Sequence, residues 1–448
     1  MFRRLFINPD VPVQYRSNFV HLYFDIGWFG ILSGSAAGFL GVYLTRLGAA
    51  GLHIGLLSAT GAMVSLLLAI PAGRWLERRP ASRAVFWASI AQRSFYLLWI
   101  PLPWLLNAHG QIWAMISFAF LMAIPATALG VGFNALFASA VPPEWRAQVA
   151  GIRNVVLSVT FMATSLGSGY ILNHVTFPAG YQIVFAIGAF GALMSSLHLY
   201  FVRHIPPAVA PIHALEPSTG SEPRRMPSPV TEGRPASSPR PSLRRDWRAA
   251  IRADVWKTPF GVILVVMLAF TLAQNLALPL FPIYFVRNMG LTDAQIGIGT
   301  AVFYLSHLIG STQLARLSHK FGHHKVTAYS SMAMCLYPII LGLTHTPVLY
   351  FFLQTIGGMV WSMLGGAQAN YLLEHIPEND RPAYLAWYSV VANASILAGS
   401  LVGPVLSNWM GINLALIVFG FLRLLGGLAI LKWGQAGRKV LPVLQSLD

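Results

Sequence analysis

The sequence predicts an all-α membrane protein in which twelve transmembrane helices form two similar six-helix halves. Hydrophobic residues make up 55% of the 448 residues and charged residues only 10%, and the mean hydropathy is +0.60. This balance is typical of chains that reside in lipid. Apolar runs of the roughly 20 residues needed to cross a bilayer recur along almost the whole chain. Short loop motifs also repeat between its two parts.

The apolar runs place six helices before residue 203 and six after residue 258. The first six are predicted at about 19–45, 52–73, 84–106, 111–139, 148–173 and 180–202. The second six are predicted at about 259–285, 294–317, 325–345, 347–374, 383–408 and 411–433. Gly and Pro inside these runs are compatible with spanning helices, because neighbouring helices satisfy the freed backbone groups.

The distribution of Lys and Arg predicts the topology. The odd-numbered loops hold only Arg46 and Arg287, whereas the even-numbered loops and both tails hold nearly all the other cations. Cytoplasmic loops carry this excess, so we expect both termini to be cytoplasmic and the chain to be a multi-pass protein of the cell (inner) membrane. The net charge of +16 is scattered over short loops, which argues against nucleic-acid binding and favours contact with anionic lipid headgroups.

The composition divides the chain into three parts. Residues 1–202 and 259–448 are the two helical halves, and residues 203–258 are rich in Pro, Ser and Arg. Such a segment buries too little apolar surface to fold alone, so we predict a disordered basic cytoplasmic linker. Near its end, Trp247, Ile251 and Val255 follow one another at four-residue spacing. This spacing fits a short helix on the membrane surface, and an unstructured basic spacer is the alternative.

The two halves carry matching residues in corresponding loops. The stretch "YLTRLGAAGLHIG" is echoed by "YFVRNMGLTDAQIG", and "VPPEWRA" by "IPENDRP", with matched residues 235 to 242 positions apart. The pairs are Arg46 with Arg287, Gly55 with Gly297, Arg74 with Arg316, and Arg146 with Arg381. A nearly constant separation indicates that a six-helix unit was duplicated in parallel orientation.

A cationic loop between predicted helices 2 and 3 carries a family resemblance. The stretch "AGRWLERRPASR" resembles the G-x-x-x-D-R-x-G-R-R signature of the major facilitator superfamily, with Gly73, Glu77 and Arg78 at its glycine, acidic and first basic positions. The second copy, "ARLSHKFGHHK", keeps Gly322 and has His319 at the acidic position. The twelve-helix pattern with its central linker resembles the same family over essentially the whole chain. The resemblance implies a monomer that works by alternating access.

The resemblance also implies a cytoplasmic gate, in which Glu77 docks against the positive N-terminus of helix 11. The copy in the second half is predicted to be weaker, because His319 cannot supply an anion there. A charge cluster that only fixes the orientation in the membrane is the alternative. The predicted gate residues are Gly73, Glu77, Arg78, Arg83, Arg146, His319, Lys320, Gly322 and Arg381.

Charged residues inside the predicted spans are candidates for function, because burying a charge in lipid is costly. Asp25 is the only carboxylate well within a predicted helix, which makes it a candidate proton-coupling site. A structural ion pair with Arg93 in helix 3 is the alternative. Arg423 in helix 12 has no partner evident from the sequence, and snorkelling, a bound lipid or a substrate anion are the roles left open for it.

Polar and aromatic residues on the predicted cavity-lining helices are candidates for a substrate site. Thr127 and Asn134 are seven residues apart and share a helix face, and Trp361 and Gln368 repeat this spacing in the second half. Hydrogen bonding between helices is the alternative role for each residue taken singly. The full set is Trp28, Ser35, Thr127, Asn134, Gln274, Asn275, Gln354, Trp361 and Gln368. Its composition favours a neutral, amphipathic or cationic organic solute.

The function predicted is secondary transport of a small organic solute, with proton coupling through Asp25 as one option. The alternatives are a facilitated-diffusion uniporter and a transport-dead receptor or scaffold with the same fold. We expect no enzyme, cofactor or metal site, because the sequence shows no nucleophile, acid/base pair or metal-ligand spacing. Cys335 is the only cysteine, and the drug-exporter motifs R-x-x-Q-G and G-P-x-x-G-G are missing from helices 4 and 5.

Overall fold

The computed structural model describes residues 11–77, 79–203, 205, 252–343, 346–377 and 380–435, and these ranges are almost entirely helical. The helices before the linker are α1 (Val13–Arg46), α2 (Gly51–Glu77), α3 (segments Ala81–Arg93, Phe95–Trp99 and Leu102–Leu105), α4 (Ala108–Ala140), α5 (Pro143–His174) and α6 (Ala179–Phe201). The helices after it are α7 (Pro259–Asn288), α8 (Asp293–Phe321), α9 (His323–Leu343), α10 (Pro347–Glu374), α11 (Arg381–Met410) and α12 (Ile412–Trp433). The predicted all-α fold is confirmed.

Within these ranges, ten of the helices are long and apolar enough to cross a membrane. The other two are α3 and α8. The α3 helix is divided at Ser94 and again before Leu102, so that no single segment reaches spanning length. The α8 helix is long, but its sequence carries Gln, Ser, Thr and His side chains together with three charged residues. Both still occupy the predicted positions in the bundle, packed against α4 and α10 respectively.

Three spans depart from regular α geometry. In α1 a π-helical turn runs over Ser33–Ala37, and in α7 another runs over Tyr284–Asn288. The α9 helix is interrupted after Ala333. Four residues beyond Met334 stands Pro338, which has no N–H to donate to the Met334 carbonyl. That carbonyl is therefore open to a donor from another helix.

The halves meet along two equivalent interfaces, in which α2 packs against α11 and α5 packs against α8. Glycine permits the close approach in both. A Cβ at Gly55 would collide with the carbonyl oxygen of Ser400, and one at Gly297 would lie 2.7 Å from that of Ser165. Because Gly55 and Gly297 are a matched pair of the repeat, the same contact is built twice, once by each half.

The end of the predicted linker is docked on the second half. Residues Ala253–Lys257 form a 3₁₀ turn, and Val255 within it is fully buried against the C-terminal core. The backbone oxygen of Arg252 accepts a hydrogen bond of 3.2 Å from Trp387 Nε1 on α11. The other two residues of the proposed surface helix, Trp247 and Ile251, lie outside the described residues.

Candidate functional site

A buried ion cluster ties together four helices of the first half. Asp25 on α1 is only 3% exposed. Its Oδ1 accepts a 2.5 Å hydrogen bond from Ser195 Oγ on α6, and its Oδ2 accepts one of 3.2 Å from Arg153 Nη1 on α5. Arg93 Nη2 on α3 lies 3.9 Å from Oδ1. We name these four residues the Asp25 cluster.

The two arginines of the Asp25 cluster have further partners. Arg153 Nη1 also donates to the Leu22 carbonyl at 2.8 Å, and its guanidinium lies 4.8 Å from the centre of the Phe133 ring. Arg93 Nη1 donates to Ser196 Oγ at 3.1 Å. One carboxylate thus serves two guanidinium groups, both of which remain protonated in proteins.

Sequence reasoning paired Asp25 with Arg93 and missed Arg153. The signal was present, because Arg153 lies five residues inside the predicted helix 5, beyond the boundary where loop cations belong. The structure places it 8% exposed in the interior of the first half. A cation this far inside a predicted span is as costly to bury as a carboxylate, and it is therefore an equal candidate for a functional or structural role.

The second half contains a cavity of about 340 Å³ between α7, α8, α9, α10 and α12. Three of the predicted substrate residues, Gln274, Gln354 and Trp361, line it. Aromatic residues make up much of the remaining wall. They include Phe281 on α7, Phe303 and Tyr304 on α8, and Tyr337 on α9. The volume lies at the lower end of the roughly 300–1,000 Å³ that is usual for small-molecule sites.

The polar groups of this cavity form a short network. Tyr337 Oη donates to Gln354 Oε1 at 3.0 Å, and Gln354 Nε2 donates to Tyr350 Oη at 2.8 Å. Tyr304, which lines the same cavity, stacks on Phe161 of α5 with 3.9 Å between ring centres. The cavity therefore adjoins the interface with the first half.

Arg423 of α12 also lines the cavity and is 1% exposed. Its Nη2 donates to the Gln274 carbonyl at 2.7 Å, and its Nη1 lies 3.4 Å from the Met334 carbonyl. Its Nε is buried without a hydrogen-bond partner. Sequence reasoning placed Arg423 inside a span, with a bound lipid or substrate anion among its possible roles, but did not include it in the predicted cavity set.

The other candidates in the first half lie within its own helix packing. Trp28 makes an edge contact with Phe190 of α6, 5.5 Å between ring centres. Ser35 is buried and donates to the Ile31 carbonyl at 2.6 Å. Thr127 Oγ1 bonds the Ala123 carbonyl at 2.9 Å and lies 3.4 Å from Ser65 Oγ of α2. Asn134 is the exception, because it is exposed on α4.

Two candidates in the second half likewise serve helix packing. Asn275 Nδ2 donates to the Thr271 carbonyl at 2.7 Å, and its Cβ lies against Gly399 of α11. Gln368 Nε2 donates to Tyr388 Oη at 2.8 Å and so joins α10 to α11. The structure thus divides the predicted set, with three of its nine members on one cavity, five in contacts within or between helices, and Asn134 exposed.

At one end of the bundle the halves exchange arginine contacts. Arg46 Nη2 on α1 donates to the Leu291 carbonyl at 2.7 Å and to Asp293 Oδ1 at 3.1 Å. In return, Arg287 Nη2 on α7 donates to the Ala49 carbonyl at 2.7 Å. Arg46 and Arg287 are a matched pair of the repeat, so the exchange is symmetric. We name it the reciprocal latch.

The predicted gate residues lie at the opposite end. Arg146 caps α4, with Nη2 2.6 Å from the Ala138 carbonyl and Nε 3.1 Å from that of Val141. Gly322 joins α8 to α9 with φ = +78°, a backbone conformation that favours glycine. Arg381 is the first residue of α11, and Arg83, His319 and Lys320 are exposed.

Two residues of the predicted gate have no described side chain. The side chain of Glu77 and the whole of Arg78 lie outside the described residues. Space is open around Gly73, where a Cβ would meet nothing within 4 Å. Among the residues that the structure places, no three His, Cys, Asp or Glu side chains gather to hold a metal ion.

A family model described as Major Facilitator Superfamily matches residues 26–284 and 263–443. Multidrug resistance protein 2 of Bacillus subtilis is 28% identical over 149 residues, which is 33% of this chain and 36% of that protein. Quinolone resistance protein NorA of Staphylococcus aureus is 23% identical over 160 residues, which is 36% of this chain and 40% of that protein. The chain therefore spans well under half the length of these relatives.

Solved structures resemble the fold over nearly its full length. A bacterial homologue of the iron transporter ferroportin in an inward-facing state has a TM-score of 0.67 at 13% identity, covering 93% of this chain and 98% of that one. A point mutant of the nucleoside transporter NupG has a TM-score of 0.65 at 12% identity, covering 93% of this chain and 99% of that one.

Proposed function

This chain belongs to the major facilitator superfamily and is a multi-pass membrane transporter, and we propose that it moves a small amphipathic organic solute by alternating access. The observation that carries the proposal is the reciprocal latch. It holds the halves together at the end where the odd-numbered loops lie, while the aromatic cavity adjoins the same interface further along the bundle. A latch of a few hydrogen bonds is weak enough to open and reclose.

The direction we propose is export. Both relatives reported above are named for drug resistance, and an aromatic cavity with few polar groups suits amphipathic solutes. The latch closes the end predicted to be extracellular, which leaves the substrate to enter from the cytoplasmic side in this state. The predicted docking of Glu77 at the start of α11 would then hold the opposite state.

The contacts of Asp25 support its ion-pair role over proton coupling. Two guanidinium groups and one hydroxyl hold its carboxylate, and a buried ion pair of this kind leaves an unpaired charge when one partner is lost. We therefore propose uniport, or coupling through another group, in preference to proton coupling through Asp25. A transport rate in Asp25→Asn proteoliposomes that loses its dependence on a proton gradient, with folding intact, would reverse this order.

A groove at the predicted cytoplasmic boundary supports binding of anionic lipid. It is lined by Arg83 and Arg203 together with the aromatic rings of Phe86, Trp87 and Tyr200. Two cations beside rings at the level of the headgroups are suited to a lipid phosphate.

Spin-label distances test alternating access directly. One pair of labels, at Ala50 and Asn288, reports on the latched end, and a second pair, at Gln148 and Ala386, reports on the other end. All four positions are exposed, and Cys335→Ser removes the native thiol. We expect each pair to show two distances, with the short distance of one pair gaining population as that of the other loses it.

Flux is measured on the same protein in liposomes, as exchange of a labelled drug-like cation or acid. Distances that change together at both ends, or one rigid distance at each end, would contradict alternating access. Solute binding with no flux in liposomes would favour the receptor alternative.

A further inference from the structure

Arg423 carries a buried positive charge for which the placed part of the chain supplies no carboxylate. Of the acidic side chains that the structure describes, Asp25 serves Arg93 and Arg153, and Asp293 serves Arg46. Asp254 and Asp380 contact Arg252, and Glu374 contacts His323. Glu144 lies at the start of α5 in the other half. None of these forms an ion pair with Arg423.

The two protein partners of Arg423 do not neutralise it. Both are backbone carbonyls, and the one at Met334 is available because Pro338 cannot bond it. A carbonyl accepts a hydrogen bond but offers only a dipole, so the full charge of the guanidinium remains. Such a charge inside a membrane bundle is expected to meet an anion or a water-filled space. The third donor, Nε, is buried with no acceptor.

The cavity beside Arg423 has walls that suit an aromatic body. The guanidinium carbon lies 5.8 Å from the centre of the Phe281 ring. Trp361 and Tyr304 lie on the neighbouring walls, and the amide of Gln354 is already bonded to Tyr337 and Tyr350. An anionic group on an aromatic solute could therefore pair with Arg423 while the ring lies among these side chains.

From this arrangement we infer that the cavity binds an aromatic organic acid, with its carboxylate paired to Arg423. The inference rests on the proposed transport function and names the substrate class of the same cavity. It replaces the neutral or cationic solute expected from the sequence, because that expectation left Arg423 out of the site. Arg423 selects for charge, and the aromatic wall selects for the body of the solute.

Binding to the purified full-length protein tests the inference with matched probes. We would measure the thermal shift and dissociation constant for 2-naphthoate, its neutral counterpart 2-naphthamide, inorganic phosphate and a short-chain phosphatidylglycerol. Naphthoate is expected to bind more than about ten-fold tighter than naphthamide, since one partner of a buried charge pair is missing from the amide. Phosphate is expected to bind no better than naphthamide. Any binding of the lipid, for which the groove of Arg83 and Arg203 is the proposed site, is expected to be the same in Arg423→Gln as in the wild type.

Three variants assign the charge preference to Arg423. Arg423→Gln keeps N–H donors for the two carbonyls but loses the charge, so it should bind naphthoate and naphthamide alike. Arg423→Lys should retain a preference for naphthoate, and the control Lys432→Gln removes an exposed cation from the same helix and should match the wild type. Equal binding of acid and amide to the wild type would overturn the inference even where Arg423→Gln fails to fold.

Other outcomes would assign a different ligand to the cavity or would reject the transport function. Phosphate binding as tightly as naphthoate would show that any anion suffices, and tight binding of the lipid that is lost in Arg423→Gln would assign the cavity to a headgroup. Either result overturns the aromatic acid. Naphthoate binding that depends on Arg423 but produces no flux in liposomes would retain the site and reject transport, so the two failures are distinguishable.

Discussion

The two halves of this bundle treat a buried arginine differently. In the first half Arg93 and Arg153 share the carboxylate of Asp25, and all three belong to one set of packed helices. In the second half Arg423 meets only carbonyl groups among the residues placed, and it borders a cavity. Duplicated helices therefore keep their packing while their charges diverge. The paired charge fixes structure, and the charge beside a cavity is the one available to a ligand.

The reciprocal latch shows the same divergence at a smaller scale. Arg46 and Arg287 make equivalent bonds to the carbonyls of Leu291 and Ala49. Only Arg46 also reaches a carboxylate, that of Asp293. In the first half Gly51 begins α2 at the corresponding position, so Arg287 has no equivalent acid there. One side of the latch thus includes an ion pair, whereas on the other side the guanidinium bonds only an uncharged carbonyl.

The largest effect is expected from removing the shared carboxylate. Asp25→Asn leaves two buried guanidiniums without an anion, and breaking a buried pair in this way costs about 3–5 kcal/mol. We expect a sharp loss of folded protein, measured as the monodisperse fraction and melting temperature in detergent. Ser195→Ala removes only one hydrogen bond to the same carboxylate, about 1.5–3 kcal/mol, and serves as the control.

A second substitution shows whether charge is the cause. Asp25→Asn combined with Arg153→Gln returns the cluster to a single excess positive charge, as in the wild type. The double variant should recover part of the melting temperature that the single variant loses. Additive losses in the double variant would mean that Asp25 stabilises by packing, and the contrast between the halves would then not rest on charge pairing.

A carboxylate placed beside Arg423 should make the second half resemble the first. Gln274→Glu puts an acid on the cavity wall, on the residue whose carbonyl already accepts from Arg423. We expect naphthoate to bind more than about ten-fold weaker, because the new carboxylate occupies its partner. The control Gln368→Glu makes the same change on α10 away from the cavity and should keep the preference of acid over amide. Unchanged naphthoate binding in Gln274→Glu would contradict the pairing.

The fold was predictable from the sequence because a helix that crosses a bilayer needs a run of roughly 20 mostly apolar residues. All twelve helices lie where apolar runs placed them, and the matched pair Gly55 and Gly297 marks equivalent contacts between halves. The breaks in α3 and α9 were not predicted. Proline and serine are common in transmembrane helices, so their presence alone does not say where a helix is interrupted.

The site was predictable only in part. Gln274, Gln354 and Trp361 line the cavity. The sequence could identify them because a polar residue in a membrane helix is costly unless it is hydrogen-bonded or hydrated. Trp28 and Ser35 share that polarity but face α6. Helix periodicity gives the relative direction of two side chains on one helix, whereas the rotation of that helix in the bundle depends on all its neighbours.

The ion pair in the reciprocal latch should shift the balance between states modestly. Asp293→Asn keeps the helix cap but removes the charge, and a partly exposed pair is worth about 0.2–1 kcal/mol. We expect up to about a five-fold loss of the short distance between labels at Ala50 and Asn288. Arg287→Gln, which breaks only the hydrogen bond to the uncharged Ala49 carbonyl, should shift the population less. An equal or larger shift from Arg287→Gln would remove the asymmetry of the latch.

The smallest effect is expected at the docked end of the linker, where the charges are exposed. Hydrogen bonds from Arg252 lower the pKa of Asp380 and of Asp254 below the usual range for an Asp carboxyl group. A lowered pKa in the folded state stabilises the fold above the normal Asp pKa of about 3.9, and this contribution is lost as the pH falls through the folded-state value. Asp380→Asn should therefore melt slightly below the wild type at pH 7, with the gap closing below about pH 4. Arg252→Gln is the matched control, because it removes the donor to Asp380, and in that background Asp380→Asn should show a smaller gap. A difference for Asp380→Asn that persists unchanged at low pH would assign its effect to the helix start rather than to Arg252.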